Sequence, residues 1–155
     1  MESSGKYIAL IDGDDYCDLN RFEKQLGFLE NNPDVSVVGS NMYLVDEDDN
    51  ITGERKYPEF HDKIKRSFLL TMAVANPSVI FRKKDIDEVG LFDDRLYKTE
   101  YFELWLRFLA KNKIIRKVFD CKQPLSLCPF IIFCAGIHHQ GEKLHCVIHH
   151  FQCQL

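Results

Sequence analysis

This 155-residue chain has no apolar run long enough to cross a bilayer. Its longest charge-poor stretch, Gln123 to Gly141, contains no Asp, Glu, Lys or Arg, but the apolar core from Leu125 to Ile137 is only 13 residues and holds Pro129. A spanning helix needs about 20 apolar residues, so this segment is expected to pack or to lie on a surface. A basic block is also missing. With a net charge of -4 and a pI near 5.8, the chain has no general attraction for nucleic acid, and a phosphate-bearing ligand needs local help such as a metal ion. The start, MESSGKYIAL, lacks a basic region followed by an apolar core and a small-residue cleavage site. The expectation is therefore a cytoplasmic setting. Five of the six cysteines fall in the last 35 residues and no export signal accompanies them, so reduced thiols are expected rather than a disulfide framework. No internal repeat or low-complexity tract occurs.

What is present suits one globular domain: 45% hydrophobic and 28% charged residues are enough for a real core. Tyr7 to Ile11 reads as a buried strand and Asp12 to Asp18 as the loop at its end. A helix begins at Asn20, where Asn20 and Glu23 have capping-box spacing and Leu19, Phe22, Leu26 and Leu29 fall on one face. Asn31-Asn32-Pro33 stops it. Val35 to Val38 and Met42 to Val45 read as two strands joined at Gly39-Ser40, followed by a solvated turn over Asp46 to Asn50. A helix from His61 to Met72 turns Ile64, Phe68 and Met72 inward. Ser78 to Arg82 reads as a strand, Lys84 to Val89 as a helix ended by Gly90, and Thr99 to Lys111 as a helix around Trp105. Alternating strands and helices make the class α/β. Near Asp120 the composition changes, and five of the six histidines follow Gly136. Two regions are expected, 1–120 and a Cys/His-rich apolar tail, 121–155.

The stretch IALIDGDDYC sets Asp12, Asp14 and Asp15 at the end of a buried strand. Three adjacent carboxylates repel one another and call for a counter-charge. Asp-x-Asp at a strand end turns two carboxylates to one side, where both can face a divalent cation at the edge at which open α/β sheets bind ligands. The alternative is a solvated Asp-Gly hairpin turn, although the chain goes on into a helix rather than a return strand. Asp46, Asp48 and Asn50 imitate the start of an EF-hand loop, but Ile51 and Tyr57 stand where Gly and Glu are required. Asp12-x-Asp14 also resembles the opening motif of haloacid-dehalogenase-type phosphatases, with Asp93-Asp94 as a distal acidic pair. In that pattern Tyr16 replaces the expected Thr or Val. A phosphatase is retained as an alternative.

The longer segment GKYIALIDGDDYCDLNRFEKQLGFLENNPDVSVVGSN resembles the middle of a family 2 glycosyltransferase of the GT-A fold, and ANPSVIFRKKDIDEVGLFDDRL followed by TEYFELWLRFL resembles its acceptor-side half. The resemblance runs from about Gly5 to Ile115. It implies a partial GT-A domain, a three-layer α/β fold with a mixed sheet. It also implies metal-dependent, inverting transfer of a sugar from a nucleotide-diphosphate sugar donor to a saccharide or lipid-linked acceptor. The cofactor would be a divalent cation, Mn2+ or Mg2+. Asp14 is then the direct metal contact, Asp12 a further metal or nucleotide contact, and Asp15 a contact to the cofactor or ribose. Such a cation would offset the charge of the carboxylates and the diphosphate. The family's catalytic base falls on Tyr101, a phenol with an ordinary pKa of about 10 and a poor base near neutrality. Glu100 is the nearest carboxylate and the candidate base. Glu103 is spaced to pair with Arg107, and Trp105 reads as core.

Family members carry a strand-turn-helix unit for the nucleotide base ahead of the acidic loop, and little of it is seen here. That leaves a non-catalytic remnant, acting as an interaction module, as the other reading. An open sheet edge would favour oligomers, and peripheral membrane contact is a further expectation. Cys128, Cys134, His138, His139, His145, Cys146, His149 and His150 invite a zinc reading without supplying paired Cys-x2-Cys arms.

Overall fold

The structure is a computed structural model. It describes residues 5–13, 15, 17–46, 48–93, 95–96, 98–125, 138–139 and 142–149, those from 119 onward by backbone alone. In chain order the elements are β1 (Tyr7–Asp12), α1 (Arg21–Asn31), β2 (Val35–Val45), β3 (Ile51–Arg55), α2 (His61–Ser67), β4 (Ile80–Arg82), α3 (Lys83–Val89), α4 (Glu100–Ala110), β5 (Ile114–Leu125), β6 (His138–His139) and β7 (Glu142–His149). A single 3-10 turn, Asn76–Ser78, leads into β4.

The strands join into one mixed sheet in the order β3-β2-β4-β1-β7-β6, with β5 along the other edge of β2. β1 runs antiparallel to β4, with Ile8 opposite Phe81, and parallel to β7, from Tyr7 opposite Leu144 to Asp12 opposite His149. On the side of β1 away from β4 the sheet continues through β7 and β6. β1 is buried along Tyr7–Ile11, as suits a strand covered on both faces.

Alternation along the strands divides the core in two. Ile8, Leu10, Val37 and Phe81 face α2, α3 and α4 through Ile64, Phe68, Ile86, Leu104, Trp105 and Phe108. Tyr7, Ala9, Val38 and Ile80 face α1 through Phe22, Leu26 and Leu29. The result is the three-layer arrangement of a partial GT-A-like fold. Trp105 is fully buried and meets the ring of Phe81 edge-on, with centroids 6.0 Å apart.

Several local expectations change. Gly39-Ser40 is not a turn: β2 is one strand of 11 residues. Its outer edge passes from β4, paired at Val37 and Val38, to β3, paired from Met42. Between them the Ser40 amide donates to Ser78 Oγ at 3.0 Å, so the side chain supplies the acceptor that a neighbouring strand would have provided. α2 ends at Ser67, five residues early, because Leu69 and Leu70 donate to the carbonyls of Arg66 and Ser67 and tighten the last turn. Phe68 is buried and Met72 packs against the same cluster. The capping box at Asn20 does not form. Asp18 takes its place, with Oδ1 accepting from the Asn20 amide and its carbonyl from the Arg21 amide. Leu19, before the helix begins, is 97% exposed. Pro124 lies inside β5, and both β3 and β5 go beyond the strands read from the sequence.

Candidate functional site

The end of β1 opens into a cleft of about 650 Å3. Asp12, Arg55 at the end of β3, Lys56 and Tyr57 just after it, and Asn76-Pro77 are among the residues that line it. Each stretch has a local cause. The chain turns at once after β1, where the Asp15 amide donates to the Asp12 carbonyl at 3.1 Å. Asn41 Oδ1 accepts from the Tyr57 amide at 3.0 Å and from Lys117 Nζ at 3.2 Å, which fixes the chain after Lys56 against β2 and β5. Asn76 Oδ1 accepts from Trp105 Nε1 at 2.9 Å, so the one polar atom of the buried indole ties Asn76 to α4.

Asp12 is partly exposed, whereas Asp15 is only 2% exposed. Asp14 lies outside the described residues, as does Asp94. Among the described residues, no group of three or more His, Cys, Asp or Glu side chains could hold a metal ion. The oxygens of Asp12 in the cleft are nonetheless the donor type that hard divalent cations take. The cysteines and histidines of the zinc reading fall on residues whose side chains lie outside those described.

The first turn of α4 reaches the same end of the sheet. Tyr101 is 8% exposed, stacked edge-on against Phe92 with centroids 5.0 Å apart. Burial raises its pKa far above the ordinary phenol range, and the negative charges of Asp12 and Glu100 push it the same way. Tyr101 is thus a neutral hydroxyl throughout the physiological range. Oε2 of Glu100 is buried with no hydrogen-bond partner among the described residues, an acceptor left open one residue before Tyr101. Glu103 accepts from Arg107 Nε at 2.6 Å, in the pairing its spacing suggests, and Arg107 also donates to the carbonyls of Val89 and Leu91. Asp93 is held by Arg95 through two contacts of 2.7 and 2.8 Å, and these hydrogen bonds lower its pKa to about 2.

Two features escape a reading of the sequence. Arg21, the first residue of α1, is fully buried behind the acidic loop. It donates to the Leu10 carbonyl at 2.9 Å and to Gln25 Oε1 at 2.9 Å, while Gln25 Nε2 donates to the Ser78 carbonyl at 2.8 Å. The only signal was an arginine directly after an aspartate-rich loop. The second is Arg55-Lys56, whose signal was a basic pair at the end of a short alternating run.

The family profile described as "Glycosyltransferase like family 2" matches residues 1–150. The chain belongs to this family. It is 33% identical over 109 residues to an uncharacterized glycosyltransferase of Methanocaldococcus jannaschii, covering 70% of this chain and 37% of that protein. It is 34% identical over 113 residues to the O-antigen biosynthesis glycosyltransferase WbnJ of Escherichia coli, covering 70% and 42%. The amylovoran biosynthesis glycosyltransferase AmsE of Erwinia amylovora is 30% identical over 103 residues, covering 66% and 38%. The chain thus spans about two fifths of the length of these curated relatives. The family is that of the glycosyltransferase resemblance and not that of the phosphatase alternative. Among the described residues no helix is long and apolar enough to cross a membrane.

Proposed function

We propose that this family 2 glycosyltransferase chain carries the diphosphate-binding and acceptor-side part of a site for metal-dependent, inverting sugar transfer from a nucleotide-diphosphate sugar. The observation that carries the reading is one cleft lined by Asp12, Asn76 and the basic pair Arg55-Lys56, with Tyr101 of α4 close enough to Asp12 to feel its charge. A divalent cation held by Asp12 and Asp14 would offset the charge of the diphosphate and of the departing nucleotide. Arg55 and Lys56 supply positive charge in the same cleft, and Asp15 supports the loop or the ribose. Glu100, with its unpartnered oxygen, accepts the proton of the acceptor hydroxyl. Tyr101 stays protonated and offers a hydroxyl, not a base. The acceptor is a saccharide or a lipid-linked saccharide, in keeping with relatives named for O-antigen and amylovoran biosynthesis.

Tyr101 also favours a second reading, in which the chain binds metal and nucleotide without transferring sugar. Titration calorimetry with Mn2+ and UDP tests the shared part. Metal-dependent heat that Asp12→Ala and Asp14→Ala each abolish supports the donor loop; absence of heat from the unaltered chain rejects it. Binding without sugar transfer to any saccharide acceptor selects the second reading.

A further inference from the structure

We propose that the end of α2 and the turn after it form a contact surface for an anionic phospholipid bilayer, beside the mouth of the cleft. Leu69 and Leu70 are 83% and 92% exposed, which is unusual for adjacent leucines that could have turned toward the core as Phe68 does. They are held in a defined conformation by the amide contacts to Arg66 and Ser67, which form a tight turn directly after the helix. Lys65 and Arg66, both exposed, lie four residues earlier and so one turn below the two leucines. Lys63 is exposed as well. No Asp or Glu occurs from Lys63 to Lys84, in a chain whose net charge is -4. The acids that bracket this stretch in the sequence are Asp62, one helical turn before Lys65 and Arg66 and outnumbered by the three basic residues, and Asp85. Apolar side chains projecting between lysine and arginine suit the boundary between headgroups and acyl chains: the leucines enter the apolar layer and the cations stay with the phosphates. A protein partner would have to bring matching acidic groups around a two-residue apolar tip. A bilayer bearing anionic lipid offers both kinds of contact at once. Ser67, Thr71 and Met72 flank the leucines and line the cleft. Docking would therefore set the cleft mouth at the membrane surface, within reach of an acceptor carried on lipid. Only that last meaning rests on the glycosyltransferase reading.

Co-sedimentation of the full chain with equimolar phosphatidylglycerol–phosphatidylcholine vesicles tests the surface, with phosphatidylcholine vesicles as the comparison. Binding to the anionic vesicles alone, weakened by salt, is expected. Leu69→Ser with Leu70→Ser should weaken it at least about tenfold. Lys65→Gln and Arg66→Gln should each weaken it about fivefold. All are exposed positions, so thermal unfolding should be unchanged, and UDP calorimetry on the same variants reports the donor site separately. Failure to pellet with anionic vesicles, or pelleting indifferent to these changes, overturns the proposal. So does self-association lost in the leucine variant without any vesicle binding, which would assign the tip to a second copy of the chain.

Discussion

Replacing Arg82 with methionine tests how the strand bearing Asp12 is held. Arg82 is buried, and its guanidinium donates to the carbonyls of Val35 (2.8 Å), Leu29 (2.6 Å) and Asn32 (3.2 Å) and to the Tyr7 hydroxyl (3.0 Å). Two of those carbonyls belong to the C-terminal end of α1, where Leu29 also accepts from the Asn32 amide and Asn32 from the Val35 amide. Tyr7 in turn donates to Glu30 Oε1 at 2.7 Å, and this hydrogen bond is the main reason the Glu30 pKa is lowered. One side chain thus ties β4, β1, the start of β2 and the end of α1. Methionine keeps much of the volume but removes four hydrogen bonds from a charged donor, although the Leu29 and Asn32 carbonyls keep the amides of Asn32 and Val35 as donors. Hydrogen bonds to a charged group are worth about 1.5–3 kcal/mol each, offset in part by the guanidinium desolvation that methionine avoids and by water at the half-buried Asn32. A net loss of about 3–5 kcal/mol is expected, a large share of the roughly 5–15 kcal/mol of a typical domain. Urea unfolding should show a lower midpoint with an unchanged slope, and the melting temperature should fall by about 10 °C. Arg82→Lys keeps the charge but not the planar fork, and should recover only part of the loss. A loss below about 1 kcal/mol for Arg82→Met would refute this account of the network.

Three further predictions concern single groups. Burial lowers the pKa of His61 from 6.5, and its Nδ1 accepts from the Ile115 amide at 3.2 Å, so the folded state keeps it neutral. Its contribution to stability is present above the unfolded pKa and is lost as pH falls through the lowered folded value. His61→Asn should accordingly flatten the decline in melting temperature between about pH 7 and pH 5. Glu100→Gln should reduce sugar transfer at least about 100-fold while UDP binding holds, whereas Tyr101→Phe should leave the pH–rate profile unchanged near neutrality. Gly90 has φ 101° and a Cβ there would lie 3.0 Å from Arg107 Nη1. Gly90→Ala should therefore cost about 1–3 kcal/mol in urea unfolding.

Strong periodic signals transferred well from sequence to structure. The apolar run Tyr7–Ile11, the spacing of Phe22, Leu26 and Leu29 and the Leu104–Trp105–Phe108 pattern all became core, because burial on a fixed period depends on the chain itself. Contacts between distant residues were not legible. Nothing in Gly39-Ser40 announces that Ser78, 38 residues away, will satisfy the strand there, so a glycine-serine pair read as a turn. The parallel pairing of β5 with β2, or of β7 with β1, leaves no local signature either. At the site the acidic residues stood out by their density, while Arg55, Lys56 and Asn76 joined them only through folding. Leu19 shows the converse: an apolar residue at a helix margin carries the periodicity but not the burial.

The central claim is that the loop after β1 holds a cation in the company of a diphosphate, and amide NMR with trace Mn2+ tests it most directly. A second acidic cluster, the turn whose Asp46 Oδ1 accepts from the Asp48 and Asn50 amides, serves as an internal control. In the presence of UDP, paramagnetic broadening should centre on Asp12, Gly13 and Asp15 and extend to Tyr101, leaving Asp46 to Asn50 sharp. Broadening at Asp46 to Asn50 alone, or broadening at the β1 loop that UDP neither strengthens nor localises, would contradict it.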